Sequence, residues 1–259
     1  MNRLDSNIIQ QNLNQQYGKI TVFDSIDSTN NWLLEKGDCG DVCLSETQTA
    51  GKGRRGNQWV SPDAGNIYFS LCYCFEEITE HWSLLGLLVG IAVAESLHEL
   101  GLRDHGVKWP NDLFWDEKKL GGILLESQDQ TGRVVIGIGL NVEMQNNNDE
   151  QSVISQPWTS VQSALKGPSL SRNVIIATMM NRLQARLNAF SNISLESFLI
   201  DWQRWDILLG KRVTIHQNGR ETSGKVATLD KHGRIGILHE NKAIQYYSSA
   251  EIKLVRETH

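Results

Sequence analysis

The sequence predicts an α+β fold in which a mixed β-sheet with flanking helices is followed by a small β-barrel. Up to Gly210, short apolar runs typical of strands alternate with longer segments at helical spacing. After Gly210, only short strand-like runs remain, and turn residues separate them. We therefore predict two domains, residues 1–210 and residues 211–259.

The larger domain should contain seven strands and five helices. The strands are expected at residues 20–23, 42–47, 67–75, 107–109, 113–115, 120–126 and 134–142. The helices are expected at 5–13 with Ser6 as the cap, from Ser28 to Gly37, at 84–100, at 171–190 and from Ser194 onward. Residues 84–100 are apolar nearly all round, which predicts that this helix is buried.

The smaller domain should be all β. Its predicted strands are residues 212–216, 222–229, 234–239 and 243–247. Asn218-Gly219 lies between the first two, and this dipeptide is a strong signal for a tight hairpin turn.

Composition and hydropathy argue against some classes of protein. The net charge is -5, whereas nucleic-acid-binding chains usually carry an excess of basic residues. The apolar run from Leu84 to Ala94 is far shorter than the roughly 20 residues that a membrane span needs. The N-terminus has no basic-then-apolar signal pattern. We therefore expect a cytoplasmic protein that binds neither nucleic acid nor membrane.

The four cysteines occur as Cys39 and Cys43, then Cys72 and Cys74. No histidine lies at ligand spacing from either pair, which argues against a zinc site. We predict four reduced thiols and no bound metal.

Gly51-Lys52-Gly53-Arg54-Arg55-Gly56 is a glycine loop with three cations in six residues. Its glycines match the dinucleotide-binding pattern, but the preceding strand is polar and residues 57–62 are no helix start, so that interpretation fails. Two interpretations remain: a solvated surface loop, and a site for a phosphate or carboxylate, which arginine forks suit.

Two further segments carry chemistry. Lys108-Trp109-Pro110-Asn111-Asp112 should hold Lys108 at a strand end and project two polar side chains from a turn, although Asn111 and Asp112 could be plain turn formers. Lys119 follows shortly afterwards. Gly137-Ile138-Gly139 gives a strand so poor in side chains that a ligand or another backbone should lie against it.

Taken in order, these segments resemble the biotin–protein ligases. The resemblance runs from about Ile20 to Trp158 and weakens toward the end of the chain. Its matching segments are residues 27–30, 48–56, 59–62, 108–112, 119–124 and 137–141. It implies a class II synthetase-like catalytic domain followed by an SH3-like barrel.

The family activates biotin with ATP to biotinyl-5′-adenylate and passes biotin to one lysine of a biotin carboxyl carrier protein, as in acetyl-CoA carboxylase. Magnesium would arrive with ATP, and no permanent prosthetic group or resident metal is implied. The residues implied in biotin binding are Ser28, Thr29, Asn30, Gln48, Gly51, Lys52, Gly53, Arg54, Lys119, Leu124 and Gly137. Those implied in ATP binding are Arg54, Trp59, Lys108, Asn111, Asp112, Lys119, Asn141 and Trp158.

Lys119, Lys108 and Arg54 are the implied catalytic cations. They would neutralise charge around the attacked α-phosphate, and the chemistry needs no side-chain nucleophile. Ser28 and Thr29 could instead cap a helix, and Trp158 could be an ordinary packing residue.

Two departures from the family pattern stand out. Position 52 is Lys where the pattern often has Arg, which weakens any bidentate contact with a carboxylate. Some relatives also carry an N-terminal winged helix-turn-helix that represses transcription, and no such unit precedes Asp27 in this sequence. The sequence leaves open whether such a unit once preceded it.

Two other functions remain open at this point. A lipoate–protein ligase shares the fold, and we expect it to lack this combination of lysine and arginine motifs. A biotin-sensing regulator without turnover is disfavoured by the acidic charge. A homodimer through an exposed sheet edge is compatible with the sequence.

Overall fold

The computed structural model describes residues 3–62, 65–128, 132–144, 156–165, 167–217, 219–248 and 250–255. Its first sheet has seven strands, which are β1 (Ile20–Ile26), β2 (Val42–Gln48), β3 (Ile67–Cys74), β4 (His105–Lys108), β5 (Asp112–Trp115), β6 (Lys118–Glu126) and β7 (Arg133–Leu140). They are arranged in the order β1-β2-β3-β7-β6-β5-β4. Because β1 pairs with β2 in parallel and the other pairs are antiparallel, the sheet is mixed.

Helices cover both faces of this sheet. They are α1 (Ser6–Gln11), α2 (Thr29–Lys36), α3 (Leu85–Glu99), α4 (Val161–Leu165), α5 (Arg172–Phe190) and α6 (Leu195–Trp205). Helix α2 packs on β2, β3 and β7, whereas α3 covers β4 to β6 on the other face and is backed by α5 and α6. The alternation of β2 explains this arrangement, because Cys43 packs under α2 and its neighbour Leu44 joins the main core.

The predicted strands and helices of the larger domain are present, with differences at their ends. Helix α1 is capped by Asp5, whose carboxylate accepts from two backbone N–H groups, and not by Ser6. Ser171 precedes α5 but makes no side-chain cap hydrogen bond, whereas Ser194 caps α6. Helix α4 was not predicted, because five residues are too few to show a periodic pattern.

The second sheet is antiparallel. Its strands are β8 (Arg212–Gln217), β9 (Arg220–Leu229), β10 (Ile235–Leu238), β11 (Ile244–Tyr247) and β12 (Glu251–Leu254), in the order β11-β10-β9-β8-β12. Gln217 lies opposite Arg220, so β8 and β9 form the predicted hairpin, although Asn218 itself is outside the described residues. Strand β12 was not predicted from the sequence. The predicted fold class is confirmed; the boundary at Gly210 stays a prediction.

The second sheet packs on the first domain. Val213 and Ile215 of β8 belong to the same buried cluster as α3. The indole N–H of Trp109 donates to the Gly233 carbonyl oxygen over 2.9 Å, which links the segment after β4 to the turn before β10.

The prediction of four reduced thiols is wrong for two of them. Cys39 and Cys74 form a disulfide, with their Cα atoms 5.6 Å apart and a sequence separation of 35 residues. The pairing brings the loop after α2 to the end of β3, which spacing alone did not reveal. Cys43 and Cys72 are buried free thiols, and desolvation raises the pKa of Cys43 to about 12. Among the described residues, no group of acidic, cysteine or histidine side chains could hold a metal.

The helical stretch Trp82–Glu99 is longer than the apolar run seen in the sequence. Its 18 residues are long and apolar enough to cross a membrane by length and composition alone, and two thirds of them (67%) are buried inside the fold. This matches the burial predicted for the helix, since a core helix passes the same test.

Candidate functional site

A cavity of about 500 Å³ opens between α2, the glycine loop and strands β5 to β7. Its lining includes most of the residues that the sequence singled out, namely Ser28, Thr29, Asn30, Gln48, Lys52, Gly53, Arg54, Trp59, Asn111, Asp112, Lys119, Leu124, Gly137, Asn141 and Trp158. Segments that are far apart in sequence therefore meet at one site.

We call one part of the cavity the amide end; it consists of Ser28, Thr29, Asn30, Gln48 and the adjacent Ser70. Ser28 is the N-cap of α2, as the alternative interpretation held, and it also lines the cavity. The Gln48 Oε1 atom accepts from the backbone N–H of Thr29 over 2.9 Å and lies 3.1 Å from the hydroxyl oxygen of the same residue. Helix α2 thus presents its first residues to the cavity in a fixed orientation.

Asn30 connects the amide end to a carboxylate outside the cavity lining. Its Nδ2 donates to Glu126 over 2.8 Å, and its Oδ1 lies 2.5 Å from the Ser70 hydroxyl. Glu126 also lies 3.4 Å from the ammonium of Lys52. A Cβ atom added to Gly137 would stand 2.3 Å from Asn30 Oδ1, so only glycine leaves room for this amide.

The glycine loop is a tight hairpin. Lys52 bridges to Gln58, and the Gly53 N–H donates to the Asn57 carbonyl oxygen over 2.7 Å. Arg54–Gly56 form one 3-10 turn, within which Arg55 has a φ of 57°. No α-helix follows the loop before β3 in the described residues, which confirms the rejection of a dinucleotide-binding fold.

Gly51 does not line the cavity. A Cβ atom there would stand 2.5 Å from the Trp59 carbonyl oxygen, so this glycine allows the two arms of the hairpin to approach closely. The role of Gly51 in biotin binding stays a prediction.

We call the other part of the cavity the cation end; it consists of Arg54, Asn111, Asp112, Lys119 and Trp158. Arg54 Nη1 donates to Asn111 Oδ1 over 3.0 Å, and Lys119 Nζ lies 2.9 Å from Asp112 Oδ1. Desolvation, followed by the charge of Arg55, lowers the pKa of Arg54. Two half-buried cations with directed partners can neutralise an anion that enters between them.

Trp158 and Asn141 are held at this end by backbone bonds. The Lys119 N–H donates to the Pro157 carbonyl oxygen, and the Thr159 N–H donates back to Lys119, both over 2.9 Å. Asn141 Nδ2 donates to the Thr159 carbonyl oxygen over 3.1 Å. Trp158 is 8% exposed, so it packs in the fold and also lines the cavity.

Side chains approach the glycines of strand β7, and the same glycines line the cavity, so the expectation that a ligand lies against them stays a prediction. Asn30 lies against Gly137, and the indole of Trp59 lies against Gly139, where a Cβ atom would be 2.4 Å from the ring. The same ring approaches Gly122, and Lys119 Nζ lies 5.3 Å from its centroid. The Trp59 indole nitrogen is buried and has no hydrogen-bond partner within the described part of the chain.

Lys108 is not brought to the cavity lining, in contrast to the expectation from sequence. It ends β4 as predicted, but its ammonium lies 4.7 Å from the centroid of the Phe114 ring. Desolvation lowers the pKa of Lys108, and the neighbouring Asp112 opposes that shift. Asp112, which lies opposite Lys108 in the β4–β5 ladder, does line the cavity.

Sequence reasoning assigned no role to several lining residues, including Asn57, Gln58, Tyr68, Phe69 and Gln156. It also missed Ser70 and Glu126, which bond to lining residues. A signal existed for Ser70, because a lone serine between Phe69 and Leu71 is an unusual polar residue in a buried strand.

Comparisons with known proteins agree with this geometry. The biotin/lipoate A/B protein ligase family model matches residues 22–142, and the biotin protein ligase C-terminal domain model matches residues 208–255. The bifunctional ligase/repressor BirA of Escherichia coli is 37% identical over 243 residues, which cover 92% of this chain and 74% of BirA. The chain belongs to the biotin protein ligase family.

Two further relatives support the assignment of this chain to the family. The biotin–[acetyl-CoA-carboxylase] ligase of Mycobacterium tuberculosis is 29% identical over 76% of this chain and 72% of its own length. The biotin protein ligase of Aquifex aeolicus, solved with biotin and ATP, has a TM-score of 0.78 and 28% identity, covering 93% of this chain and 100% of that one. The chain thus comprises the catalytic part and the C-terminal part of the family.

Proposed function

We propose that this ligase uses ATP to activate biotin as biotinyl-5′-adenylate and then transfers biotin to a lysine of a biotin carboxyl carrier protein. The observation that carries the proposal is a single cavity with a neutral, hydrogen-bonded amide end and a cation end. The Aquifex relative was solved with both biotin and ATP, which supports the same pair of substrates here.

The amide end suits the head group of biotin. A ureido ring has two N–H donors and one carbonyl acceptor, and Ser28, Thr29 and Gln48 supply hydroxyl and amide groups at the cavity wall. Gly53, Leu124 and Gly137 would line the apolar part of the ring and tail. Lys52 would add a cation near this end; its single ammonium cannot bind a carboxylate as an arginine fork does.

The cation end suits the reacting groups. An oxygen of the biotin carboxylate attacks the α-phosphorus of MgATP and pyrophosphate leaves. Both reactants are anions, so Arg54 and Lys119 would remove their repulsion and stabilise the charge of the transition state. Lys108 would contribute through its charge at longer range. The carrier lysine, as a free amine, then attacks the acyl carbon, and AMP leaves.

The nucleoside of ATP would lie beside the aromatic and amide side chains of the cation end. Trp158 offers a face for adenine, and Trp59 borders the same cavity. Asn111, Asp112 and Asn141 offer polar atoms for ribose or phosphate. Magnesium belongs to this substrate and keeps most of its waters.

The glycine loop would close over the adenylate. Arg54 is joined to the rest of the cation end by its bond to Asn111, and Gly53 and Gly56 on either side of the two arginines permit movement. Protease cleavage of this loop should slow when biotin and MgATP are added together. Equal cleavage rates with and without them would contradict closure.

The remaining assignments are parts of the same proposal. Residues 1–210 would be the catalytic domain, and 211–259 a small domain that helps close the nucleotide site or receives the carrier. The M. tuberculosis relative is named for acetyl-CoA carboxylase, which supports a carrier of that type. We propose action in the cytoplasm, without membrane or nucleic acid, as a monomer or homodimer; the Cys39–Cys74 disulfide is unusual for that compartment.

Pyrophosphate exchange tests the proposal. Labelled pyrophosphate should enter ATP when biotin and Mg²⁺ are present, and mass spectrometry should then find one biotin on a carrier domain. Exchange that responds to lipoate and not to biotin would assign a lipoate–protein ligase instead. Biotin binding without any exchange would assign a biotin-sensing protein without turnover.

A further inference from the structure

Glu126 bonds to two cavity residues from different segments without lining the cavity itself. One carboxylate oxygen accepts from Asn30 Nδ2 over 2.8 Å, and the other lies 3.4 Å from Lys52 Nζ. A carboxylate paired with an ammonium has no proton to donate. The Asn30 amide must therefore turn its NH₂ group toward Glu126 and its carbonyl oxygen toward Ser70.

This orientation sets the direction of the next hydrogen bonds. Asn30 Oδ1 can only accept a hydrogen bond. The Ser70 hydroxyl, 2.5 Å away, therefore donates its single proton to Asn30 Oδ1. The Ser70 oxygen also lies 2.7 Å from Thr29 Oγ1, and that contact is a hydrogen bond only if Thr29 donates. Donation therefore runs from Thr29 to Ser70, to Asn30 and finally to Glu126.

The direction decides what the cavity offers to a ligand. With its proton turned to Ser70, Thr29 keeps its oxygen lone pairs for a donor in the cavity. Gln48 Oε1 accepts the Thr29 N–H over 2.9 Å and keeps a second lone pair. If this chain of hydrogen bonds ran in the opposite direction, the Ser70 proton would occupy one lone pair of the Thr29 oxygen. The Thr29 proton would then turn to Gln48, 3.1 Å away.

We propose that Glu126 is a specificity-determining positioning residue, which fixes the hydrogen-bond direction of the amide end so that Thr29 and Gln48 accept from the ring N–H groups of the ligand. The inference rests on the proposed biotin substrate. It predicts discrimination against a ring that lacks an N–H donor, because a buried acceptor left without a donor is costly.

Glu126→Gln is the direct test, because it keeps the shape of the side chain and adds a donor that lets the chain reverse. The probes are biotin and its cyclic carbamate analogue, in which one ring N–H is replaced by oxygen. Calorimetric titration gives the ratio of the two dissociation constants. In the unmodified ligase, biotin should bind about tenfold more tightly than the better-bound carbamate isomer, and in E126Q the ratio should fall toward unity.

Three companion variants separate this role from a merely structural one. Glu126→Asp retains an acceptor-only carboxylate and should retain most of the ratio. Lys52→Met removes the ion pair but not the chain, so the ratio should persist even if biotin binds more weakly. Glu143→Gln is the matched control, because this surface carboxylate bonds Ser169 away from the chain; its ratio should be unchanged.

Ser70→Ala interrupts the chain from its other end and provides a second test if E126Q does not fold. It should lower the ratio as E126Q does, and the double variant should lower it no further, since both act on one chain. An unchanged ratio in folded E126Q and S70A would overturn the proposal. Pyrophosphate exchange by the unmodified ligase is measured in parallel, so failure of the adenylation chemistry is distinguished from failure of this inference.

Discussion

The amide end and the cation end differ in how their polar groups are satisfied. At the amide end, the side chains are neutral, and Ser28, Thr29 and Asn30 are at most 4% exposed. At the cation end, Arg54 and Lys119 keep some solvent contact and each has one directed partner, Asn111 or Asp112. The first arrangement is costly to disturb because its groups are buried, whereas the second can exchange a protein partner for a substrate anion.

This difference predicts which kinetic constant each end controls. Preorganised neutral bonds to a head group act equally in the ground state and the transition state, so damage there should raise the biotin KM. Cations beside the reacting phosphate meet charge that develops during the reaction, so their loss should lower kcat.

Lys119→Met should have the largest effect. Removing this cation should lower the kcat of pyrophosphate exchange about 100-fold or more and change the biotin KM little. Lys118→Met is the matched control, because its neighbouring ammonium is exposed and does not line the cavity; it should keep full activity. An unchanged kcat in the Lys119 variant would contradict the role assigned to the cation end.

Gly137→Ala should act at the amide end. Its new methyl group would stand 2.3 Å from Asn30 Oδ1, so the amide must move and the biotin KM should rise about tenfold. Gly167→Ala is a suitable control, since the nearest atom to its methyl group is 3.6 Å away. If kcat fell while KM stayed constant, the division of labour between the two ends would be wrong.

Arg54→Gly should open the cation end without removing Lys119. Loss of the bond to Asn111 should let the adenylate escape, so that biotin appears severalfold more often on bystander lysines. Arg55→Gly gives a matched comparison, because Arg55 is exposed and its φ of 57° suits glycine. Peptide mapping by mass spectrometry should find biotin confined to the carrier with R55G; the same confinement with R54G would contradict the retention role.

The smallest predicted effect is at Asp206, beside strand β4, and it concerns the stability of the fold and not catalysis. Asp206 bridges to Val107, next to Lys108, and desolvation raises its pKa from 3.8 to about 6. Because the folded state holds this proton more tightly than the unfolded chain, Asp206 should lower the free energy of unfolding as pH rises from about 4 to about 6.

The Asp206→Asn variant should lack this contribution. In calorimetric melting, the melting temperature of the variant minus that of the unmodified ligase should therefore increase by a few degrees as pH rises from about 4 to about 6. Asp24→Asn, at an exposed carboxylate of β1, should show no such relative rise. A constant difference between D206N and the unmodified ligase across this range would contradict the shifted pKa.

The sequence predicted the cavity better than it predicted the contacts inside it. Gly137 stands out because glycine is unusual inside a strand, and Arg54 stands out because it is one of three cations within six residues. Lys108 looked equivalent to Lys119, yet its ammonium lies over the Phe114 ring and Lys108 does not line the cavity. Which of the two lysines reaches the cavity depends on strand register, including the irregularity in the β5–β6 pair between Leu113 and Phe114. No residue pattern encodes this register.

Residues that act through others were the least visible. Glu126 ends an apolar strand and carries no local pattern for function, whereas Ser70 carries only the weak signal of a lone polar residue within a buried strand. The Cys39–Cys74 pairing was equally hidden, because it depends on how the loop after α2 returns to the end of β3. These contacts arise from packing between distant segments.

The most direct test of the central claim, that the two ends hold a carboxylate and an α-phosphate in one reaction, is oxygen transfer. Biotin labelled with ¹⁸O in its carboxylate is supplied with MgATP and a carrier domain, and the released AMP is analysed by mass spectrometry. Attack by the carboxylate on the α-phosphorus predicts AMP with one ¹⁸O atom for each biotin transferred. Unlabelled AMP accompanying biotin transfer would contradict the account.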